Sequence, residues 1–323
     1  MAEQINLEAA VPADLGGKRF DQIASQVFPD YSRSTLQEWI KSGALTVNGK
    51  TKRPKDKLFG GEQLVLNAEL EDDGRWEPEN IPLDIVYEDD HIIVINKPRD
   101  LVVHPAAGNW SGTLLNALLY HCPDIASVPR AGIVHRLDKD TTGLMVVAKT
   151  LQAQTDLVEQ LQERSVSREY EAVVTGVMSA GGEVNQPIGR HPTNRLKMAV
   201  THGGKPSITH YRVLERYRGH THIRVQLETG RTHQIRVHMS HLRYPLVGDT
   251  LYAGPPRFPR GASPELVEML KTFDRQALHA RQLGLVHPAT GDYMEWESEL
   301  PEDFLTLLDV LEEDTQAAMA TEQ

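Results

Sequence analysis

Short apolar and alternating segments recur from residue 81 onward, and they constrain the fold of this chain more than any other feature. Ile223, Val225 and Leu227 alternate with polar residues, as in a strand that buries one face. Helical signals are fewer, and Thr150 can cap one predicted helix. Many strands with few, scattered helices predict an α+β domain with a mainly antiparallel mixed sheet. The other predicted strands are 92–95, 144–148, 169–175 and 208–214.

A smaller α+β unit is predicted near the N-terminus, over residues 17–67. Phe20, Ile23 and Val27 are spaced along one face of a helix. Asn48-Gly49 follows a second helical pattern and is a strong signal for a two-residue hairpin turn. A basic stretch comes directly after this turn. The unit therefore combines two short helices with a hairpin that carries positive charge.

The remaining boundaries follow from changes in composition. Residues 1–16 are expected to form a flexible leader. The segment 68–80 is polar and rich in turn residues, so we expect a linker. The larger domain is predicted over 81–311. The acidic segment 312–323 is expected to form a frayed tail.

Charge is unevenly distributed along the 323 residues, which carry a net charge of −11. Residues 262–323 contain 14 acidic and 3 basic residues, a net of −11. Residues 190–260 contain 13 basic and 3 acidic residues, a net of +10, and residues 16–58 have a net of +5. Two basic segments suggest a local surface that binds a polyanion. Charges scattered over a solvated surface would give the same counts, so charge alone does not decide between these interpretations.

The sequence also limits where the protein works. Cys122 is the only cysteine, which excludes an internal disulfide and fits a reducing cytosol. No apolar run approaches the roughly 20 residues that a membrane helix needs. The N-terminal segment is acidic and has no apolar core, unlike a signal or transit peptide. We therefore expect a cytoplasmic protein that does not bind membranes.

The segment AGIVHRLDKDTTGLMVVAKT, residues 131–150, is the main candidate for a chemical site. A charged turn leads there into an apolar strand, which would hold a carboxylate at the edge of a rigid sheet. Asp138 and Asp140 are flanked by Arg136 and Lys139, and nearby cations keep a carboxylate ionised. An ionised carboxylate is the form that a nucleophile or a base requires. By spacing alone, a solvated charged turn is at least as good an interpretation.

The sequence lacks the motifs of several other enzyme classes. The order His-Arg-Leu-Asp differs from the kinase order, and no Asp-Phe-Gly or glycine-rich phosphate loop is present. His233, His238 and His241 do not form the H-E-x-x-H arrangement of a zinc protease. We therefore expect neither a metal nor a cofactor.

Four ordered motifs resemble those of the RluA-like ribosomal RNA pseudouridine synthases. HRLDKDTTGL is similar to the catalytic motif of that family. SREYEAVVTG (167–176) resembles the strand that carries its tyrosine, and LETGRTHQIRVHMSHLRYPLVGD (227–249) resembles its arginine motif. YEDDHIIVINKPRDLVVHP (87–105) resembles its opening strand. The N-terminal unit looks like an S4-like RNA-binding domain, which points to the D-type members of the family.

The resemblance implies a role for each matching residue. Asp138 would be the catalytic aspartate, and Arg231 would pair with it. Tyr170 would stack on the uracil and could also transfer a proton. Arg136 would enter the RNA helix as the target nucleotide leaves it. Leu137 and Ile235 would form the base pocket, and the RNA-binding residues of the S4-like unit would be Arg33, Lys50, Lys52 and Arg53.

The implied reaction converts uridine to pseudouridine, in which the base is joined to the ribose through carbon. Asp138 could attack the anomeric carbon or remove the 2′ proton to form a glycal, and the sequence leaves both routes open. The expected partner is large-subunit (23S) ribosomal RNA, at the helix 69 stem-loop, or a precursor 50S particle, bound by a monomer. Two alternatives remain: a non-catalytic RNA-binding ribosome-assembly factor, and a synthase of this family that acts on other ribosomal or transfer RNA uridines.

Overall fold

The computed structural model describes residues 3–28, 31, 33–70, 76–105, 110–194 and 196–321. The chain divides into two compact units, Met1–Arg75 and Trp76–Gln323. This division falls inside the predicted linker 68–80, but both ends of that segment are ordered. A strand extends through Leu70, and Glu77 already accepts a hydrogen bond from Asn116 of the larger unit.

The smaller unit is a three-stranded antiparallel sheet with two helices. Its elements are β1 (Glu3–Ala10), α1 (Phe20–Val27), α2 (Arg33–Ser42), β2 (Leu45–Val47) and β3 (Gln63–Leu70). The predicted α1 face is confirmed, because Phe20 and Ile23 are fully buried. They pack with Leu36, Leu45 and Leu64 in one apolar core.

The expected flexible leader is wrong for residues 3–10. These residues form β1, which pairs with β3 along its whole length, from Glu3 opposite Leu70 to Ala10 opposite Gln63. Ile5 and Leu7 alternate with polar residues, as a strand requires, but the acidic composition of the segment hid this short pattern. The strand forms because β3 would otherwise leave its backbone groups unpaired on that side.

The hairpin turn after β2 is confirmed. Asn48 and Gly49 both have positive φ, 50° and 71°, as a two-residue hairpin turn of type I′ requires. The N–H of Val47 donates to the carbonyl of Lys50 at 2.9 Å, and the reverse bond is 3.0 Å long. The basic segment leaves this turn with Lys50 and Arg53 exposed.

The larger unit is built on a nine-stranded mixed sheet with the order β4-β5-β6-β13-β7-β12-β11-β8, and β14 pairs with β13. Every pairing is antiparallel except that of β6 with β13, so the predicted α+β fold is confirmed. The separate pair β9-β10 forms a hairpin. The elements are β4 (Ile85–Glu88), β5 (Ile92–Lys97), α3 (Leu114–His121), β6 (Thr142–Ala148), α4 (Leu151–Glu163), β7 (Ser167–Thr175), β8 (Gly182–Asn185), β9 (Ile188–Arg190), β10 (Met198–Val200), β11 (Ile208–Arg216), β12 (His220–Leu227), α5 (Gln234–His241), α6 (Pro264–Thr272), β13 (Leu278–Val286), β14 (Tyr293–Glu297) and α7 (Glu302–Thr321).

One row across the sheet brings distant parts of the sequence level with one another. Ala280 on β13 is the register partner of Gly143 on β6 and also of Tyr170 on β7. Neighbouring strands lie about 4.8 Å apart, so Gly143 and Tyr170 are separated by two strand spacings, roughly 10 Å, and the start of β6 is level with the middle of β7. Gly143 has φ of 109°, and a Cβ there would lie 2.3 Å from the carbonyl oxygen of Ala280. A glycine is therefore required where β6 meets β13.

Helices cover both faces of the sheet. On one face α3 and α5 pack against β5, β6, β7 and β12, and on the other α4, α6 and α7 pack against the sheet. The frayed acidic tail is wrong as far as Thr321, because α7 continues to that residue. Asp314 is buried and pairs with Arg218 at 2.9 Å, so acidic residues of this segment hold α7 to the domain. No helix in the described ranges is long and apolar enough to cross a membrane.

Candidate active site

The loop that carries Asp138 is fixed from beneath by Lys97. The Lys97 side chain is fully buried, and its ammonium donates to the carbonyls of Pro98, Leu101 and Lys139 at 2.7, 3.0 and 2.8 Å. Burial lowers the pKa of Lys97 to about 7, while Asp140 and Asp138 oppose this shift. A buried ammonium that already binds three carbonyls is not available to bind phosphate. Lys97 therefore positions the loop.

Asp138 forms an ion pair with Arg236, which lies in the first turn of α5. Its Oδ2 is 2.9 Å from Nη1 of Arg236. The same guanidinium also binds Asp249 through two bonds of 2.7 and 2.9 Å. Burial alone would lower the pKa of Arg236, but the two carboxylates raise it. One cation thus serves two carboxylates, and the ion pair holds the side chain of Asp138 in a fixed orientation.

The predicted ion pair between Arg231 and Asp138 is wrong. Arg231 lies in the turn before α5, where its Nε donates to the carbonyl of Pro206 at 3.2 Å. Its backbone N–H donates to Gln234, which anchors the start of the helix. Arg236 follows Arg231 by five residues, and the sequence does not say where the turn ends and the helix begins. The second arginine of the motif, not the first, faces the aspartate.

A second contact to Asp138 comes from His233. Its Nε2 is 3.9 Å from Oδ1 of Asp138, and its Nδ1 is 2.8 Å from the hydroxyl of Tyr252. That hydroxyl also accepts a hydrogen bond from the N–H of Met198 in β10. Burial lowers the pKa of His233, and Asp138 only partly opposes this shift, so the imidazole is neutral at neutral pH. His233 also has φ of 57°, which is a strained conformation for a residue with a side chain.

Tyr170 lies on β7 with its ring in the apolar cluster on this face of the sheet. Burial raises the pKa of the phenol, Arg168 opposes the rise, and the charge of Asp138 adds to it. The hydroxyl is therefore protonated at neutral pH. Within the described part of the chain it has no hydrogen-bond partner. A protonated phenol near Asp138 is placed to meet a substrate.

The other predicted site residues divide into two groups. Leu137 and Ile235 are 5% and 4% exposed and belong to the same apolar cluster as Tyr170. Arg136 is exposed beside Asp138, on the open side of the loop. The structure therefore brings Asp138, Tyr170, Leu137 and Ile235 to one place, with Arg136 at its rim.

The four predicted RNA-binding residues lie in the smaller unit. Lys50 and Arg53 are exposed and Lys52 is half-buried. Arg33 is different, because its guanidinium is 2.7 Å from the buried carboxylate of Asp21. Burial raises the pKa of Asp21, but the bonds from Arg33, Gln37 and Arg19 lower it overall. Arg33 therefore also holds α1 and α2 together.

Comparison with known proteins identifies the family. The profile of RNA pseudouridylate synthases matches residues 91–241, and the S4 domain profile matches residues 18–64. The chain is 65% identical over 317 residues to ribosomal large subunit pseudouridine synthase D of Pseudomonas aeruginosa, covering 98% of this chain and 99% of that protein. The chain belongs to the RNA pseudouridine synthase family. The protein of the same name from Escherichia coli K12 is 59% identical and is matched over 97% of each chain.

Solved structures agree with this assignment. Human RNA pseudouridylate synthase domain containing 4 is 28% identical, with a TM-score of 0.56 over 71% of this chain and 92% of that chain. The corresponding domain-containing protein 1 is 28% identical, with a TM-score of 0.52 over 69% and 85%. The expected family, fold and enzyme class are therefore confirmed. The enzyme is an RNA pseudouridine synthase with an S4 domain.

Four residues of the site were missed at the level of sequence: Arg236, Asp249, His233 and Tyr252. Arg236 and His233 lie within the arginine motif, so an arginine-rich turn next to a helix was the available signal. Asp249 and Tyr252 had no local signal, because their importance comes only from contacts across 13 and 19 residues.

Proposed function

We propose that this enzyme isomerises uridines of large-subunit ribosomal RNA, at the helix 69 stem-loop, with Asp138 as the catalytic carboxylate. The single observation that carries the catalytic assignment is the position of Asp138. It is paired with Arg236, close enough to Tyr170 to affect its pKa, and next in sequence to Leu137 of the apolar cluster. The large-subunit target rests on the names of the relatives and on the S4 domain.

The target base must leave its stack before Asp138 can reach the ribose. Flipping a nucleotide costs a few kcal/mol, and stacking on an aromatic ring returns roughly 1–3 kcal/mol. Tyr170 supplies that ring from the same apolar cluster as Leu137 and Ile235, and Arg136 fills the space left in the RNA. The phenol of Tyr170 is available for proton transfer, because burial keeps it protonated.

Asp138 then acts on the sugar. Its carboxylate attacks the anomeric carbon or removes the 2′ proton, and either step releases uracil with the bonding electrons. The base turns and bonds through its C5 carbon, so no atom is gained or lost. Arg236 holds the carboxylate in position for this step through its ion pair. The reaction calls for no redox cofactor or metal.

The S4 domain docks the RNA through Lys50, Lys52, Arg53 and Arg33, which offer positive charge along one hairpin and one helix. The enzyme works as a monomer in the cytoplasm on ribosomal RNA or a precursor particle. Deleting the S4 domain should weaken binding to full-length RNA and make it more sensitive to salt. Conversion of a short stem-loop should change less. Equal binding of full-length RNA without the domain would contradict this role.

The decisive experiment replaces Asp138 by Asn and measures RNA binding and pseudouridine formation separately. We expect binding to persist and conversion to be lost, because the amide keeps the shape but not the negative charge. Asp140→Asn is the matched control in the same loop and should retain most activity. A non-catalytic assembly factor would give no conversion with the wild type either. Pseudouridine mapping in cells that lack the enzyme then separates helix 69 from other RNA targets.

A further inference from the structure

Arg168 is a buried cation that has no counter-ion among the residues that the structure describes. It lies on β7 two residues before Tyr170, so the two side chains point to the same face of the sheet. Arg168 is 6% exposed and its Nε is sealed from solvent without a hydrogen-bond partner. Within the described ranges its guanidinium forms no ion pair and no hydrogen bond. The other two buried arginines of those ranges, Arg236 and Arg275, both bind carboxylates.

This arrangement is unfavourable for the free protein. A guanidinium does not deprotonate under ordinary conditions, so Arg168 stays charged in a place where charge is poorly solvated. The guanidinium lies directly against the backbone at Gly230, where a Cβ would come within 2.7 Å of Nη1. A buried cation with no partner among the described residues calls for an explanation, and a bound substrate can supply one.

Among the described residues no carboxylate pairs with Arg168, although the charge of Asp138 also acts on Tyr170. The charge of Arg168 acts on two neighbours, Tyr170 and His135. Tyr170 is a protonated phenol, and burial lowers the pKa of His135 to about 3, so this imidazole is neutral. His135 also accepts a hydrogen bond from the N–H of Val146, which holds it in that form. The guanidinium is therefore held beside the active-site tyrosine and left free to meet an anion.

We propose that Arg168 is a catalytic residue that stabilises the negative charge of the detached uracil. The inference rests on the proposed role of Asp138. When the bond between C1′ and N1 breaks, its electron pair stays on the base and spreads over N1, O2 and O4. In one route C1′ forms a bond to the carboxylate of Asp138. In the other route C2′ gives up its proton to Asp138, and the sugar becomes a glycal. A cation fixed beside the ring that stacks on the base lowers the energy of this anion.

The second half of the reaction removes the charge again. C5 of the uracil anion donates an electron pair to C1′ and forms the new carbon–carbon bond. In the covalent route the bond between C1′ and the carboxylate oxygen of Asp138 breaks and the carboxylate leaves; in the glycal route Asp138 returns its proton to C2′. The proton then leaves C5 and a proton returns to N1. Arg168 faces negative charge only between these two steps. Its contribution is therefore larger in the transition state than in the bound substrate.

A phosphate is the less fitting occupant of this position. Phosphates of bound RNA remain at the surface of the complex, where exposed cations meet them. Arg168 is buried at the level of Tyr170, where the base enters. A phosphate contact would mainly change RNA affinity and its salt dependence, whereas a contact to the leaving base changes the chemical step. The two possibilities are therefore separable by experiment.

The test compares Arg168→Gln and Arg168→Lys with the wild type in single turnovers at saturating RNA that carries uridine or 5-fluorouridine at the target position. Chromatography of nucleoside digests measures the disappearance of the starting nucleoside, because 5-fluorouridine has no C5 proton to release and its product is not pseudouridine. Loss of one preorganised electrostatic contact should slow conversion of uridine roughly 10²–10³-fold, with little change in RNA affinity. Fluorine at C5 stabilises the uracil anion, so the loss should be at least about fivefold smaller with 5-fluorouridine. Lysine should restore part of the rate.

The Tm of the variants distinguishes a catalytic role of Arg168 from a purely structural one, because loss of a structural contact would lower the Tm. Removing an unpaired buried charge should leave the Tm of Arg168→Gln unchanged or higher, whereas Arg275→Gln should lower it, because Arg275 pairs with Asp303. Equal losses with both nucleosides, a loss confined to RNA affinity, or a lowered Tm for Arg168→Gln would each overturn the inference. Asp138→Asn is run in parallel. If that variant remains active, the proposed function fails. If it is inactive while Arg168→Gln slows both substrates equally, only the present inference fails.

Discussion

Replacing Arg236 by Gln should harm both stability and catalysis, because one guanidinium serves Asp138 and Asp249. Asp249 is the more sensitive partner, since its side chain is fully buried. It would lose two charged hydrogen bonds and keep the N–H donors of Leu251 and Tyr252 at 3.1 and 3.2 Å. Removing one partner of a buried pair costs about 3–5 kcal/mol, and the remaining donors favour the lower end. We expect about 3 kcal/mol of lost stability.

The catalytic loss has a separate cause. Asp138 would lose one charged hydrogen bond of 2.9 Å, a contact worth about 1.5–3 kcal/mol, which corresponds to roughly a 10- to 150-fold slower reaction. Urea unfolding measures the first effect, and single-turnover pseudouridine formation at saturating RNA measures the second, under conditions where the variant is folded.

A double variant separates the two effects. Arg236→Gln combined with Asp249→Asn removes the unpaired buried carboxylate, so most of the lost stability should return. Conversion should stay low, because Asp138 still lacks its cation. Arg218→Gln is the control, since it breaks a pair with Asp314 in α7 away from the site. Recovery of conversion in the double variant, or a wild-type rate in Arg236→Gln alone, would refute the reasoning.

Two further predictions follow from polar contacts. Tyr252→Phe keeps the ring under Arg236 but loses the hydroxyl that is bonded to His233. We therefore expect kcat to fall about 2- to 10-fold with KM unchanged, and a change confined to KM would contradict this. Burial by itself would raise the pKa of Asp89, but hydrogen bonds from the N–H of Ile92 and from other donors lower this pKa to about 2. Because the folded pKa lies below the unfolded one, Asp89 contributes about 2 kcal/mol at neutral pH, and this is lost as pH falls from about 4 to 2. Asp89→Asn should therefore lower stability at pH 7 but not near pH 2, and an equal difference at both pH values would exclude this account.

Local patterns predicted much of the fold because they depend on neighbouring residues. The alternation of Ile223, Val225 and Leu227 placed β12, and Asn48-Gly49 placed a turn that needs positive φ. The cap of α4 was also predicted, since Thr150 accepts a hydrogen bond from the N–H of Ala153. In each case the physical cause acts over a few residues, so the sequence contains it directly.

The two ends of the chain were predicted less well, because their order depends on distant partners. Residues 3–10 are a strand only because β3 offers hydrogen bonds to them. The last turns of α7 are held by Leu311, which is buried, and by the pair of Asp314 with Arg218. The acidic composition suggested a frayed segment because Arg218, the cation that pairs with Asp314, is nearly 100 residues away in the sequence.

The sequence by itself determined the kind of protein: an S4-like unit, an α+β catalytic domain, and one aspartate within a motif typical of RNA pseudouridine synthases. Only the tertiary structure decided which cation holds that aspartate. Arg231 and Arg236 are chemically identical and five residues apart, and the start of α5 turns one toward Pro206 and the other toward Asp138. The same holds for Arg168, because only the packed sheet shows that it has no counter-ion within the described part of the chain. Charge pairing depends on distances in space, and the order of residues along a chain does not contain those distances.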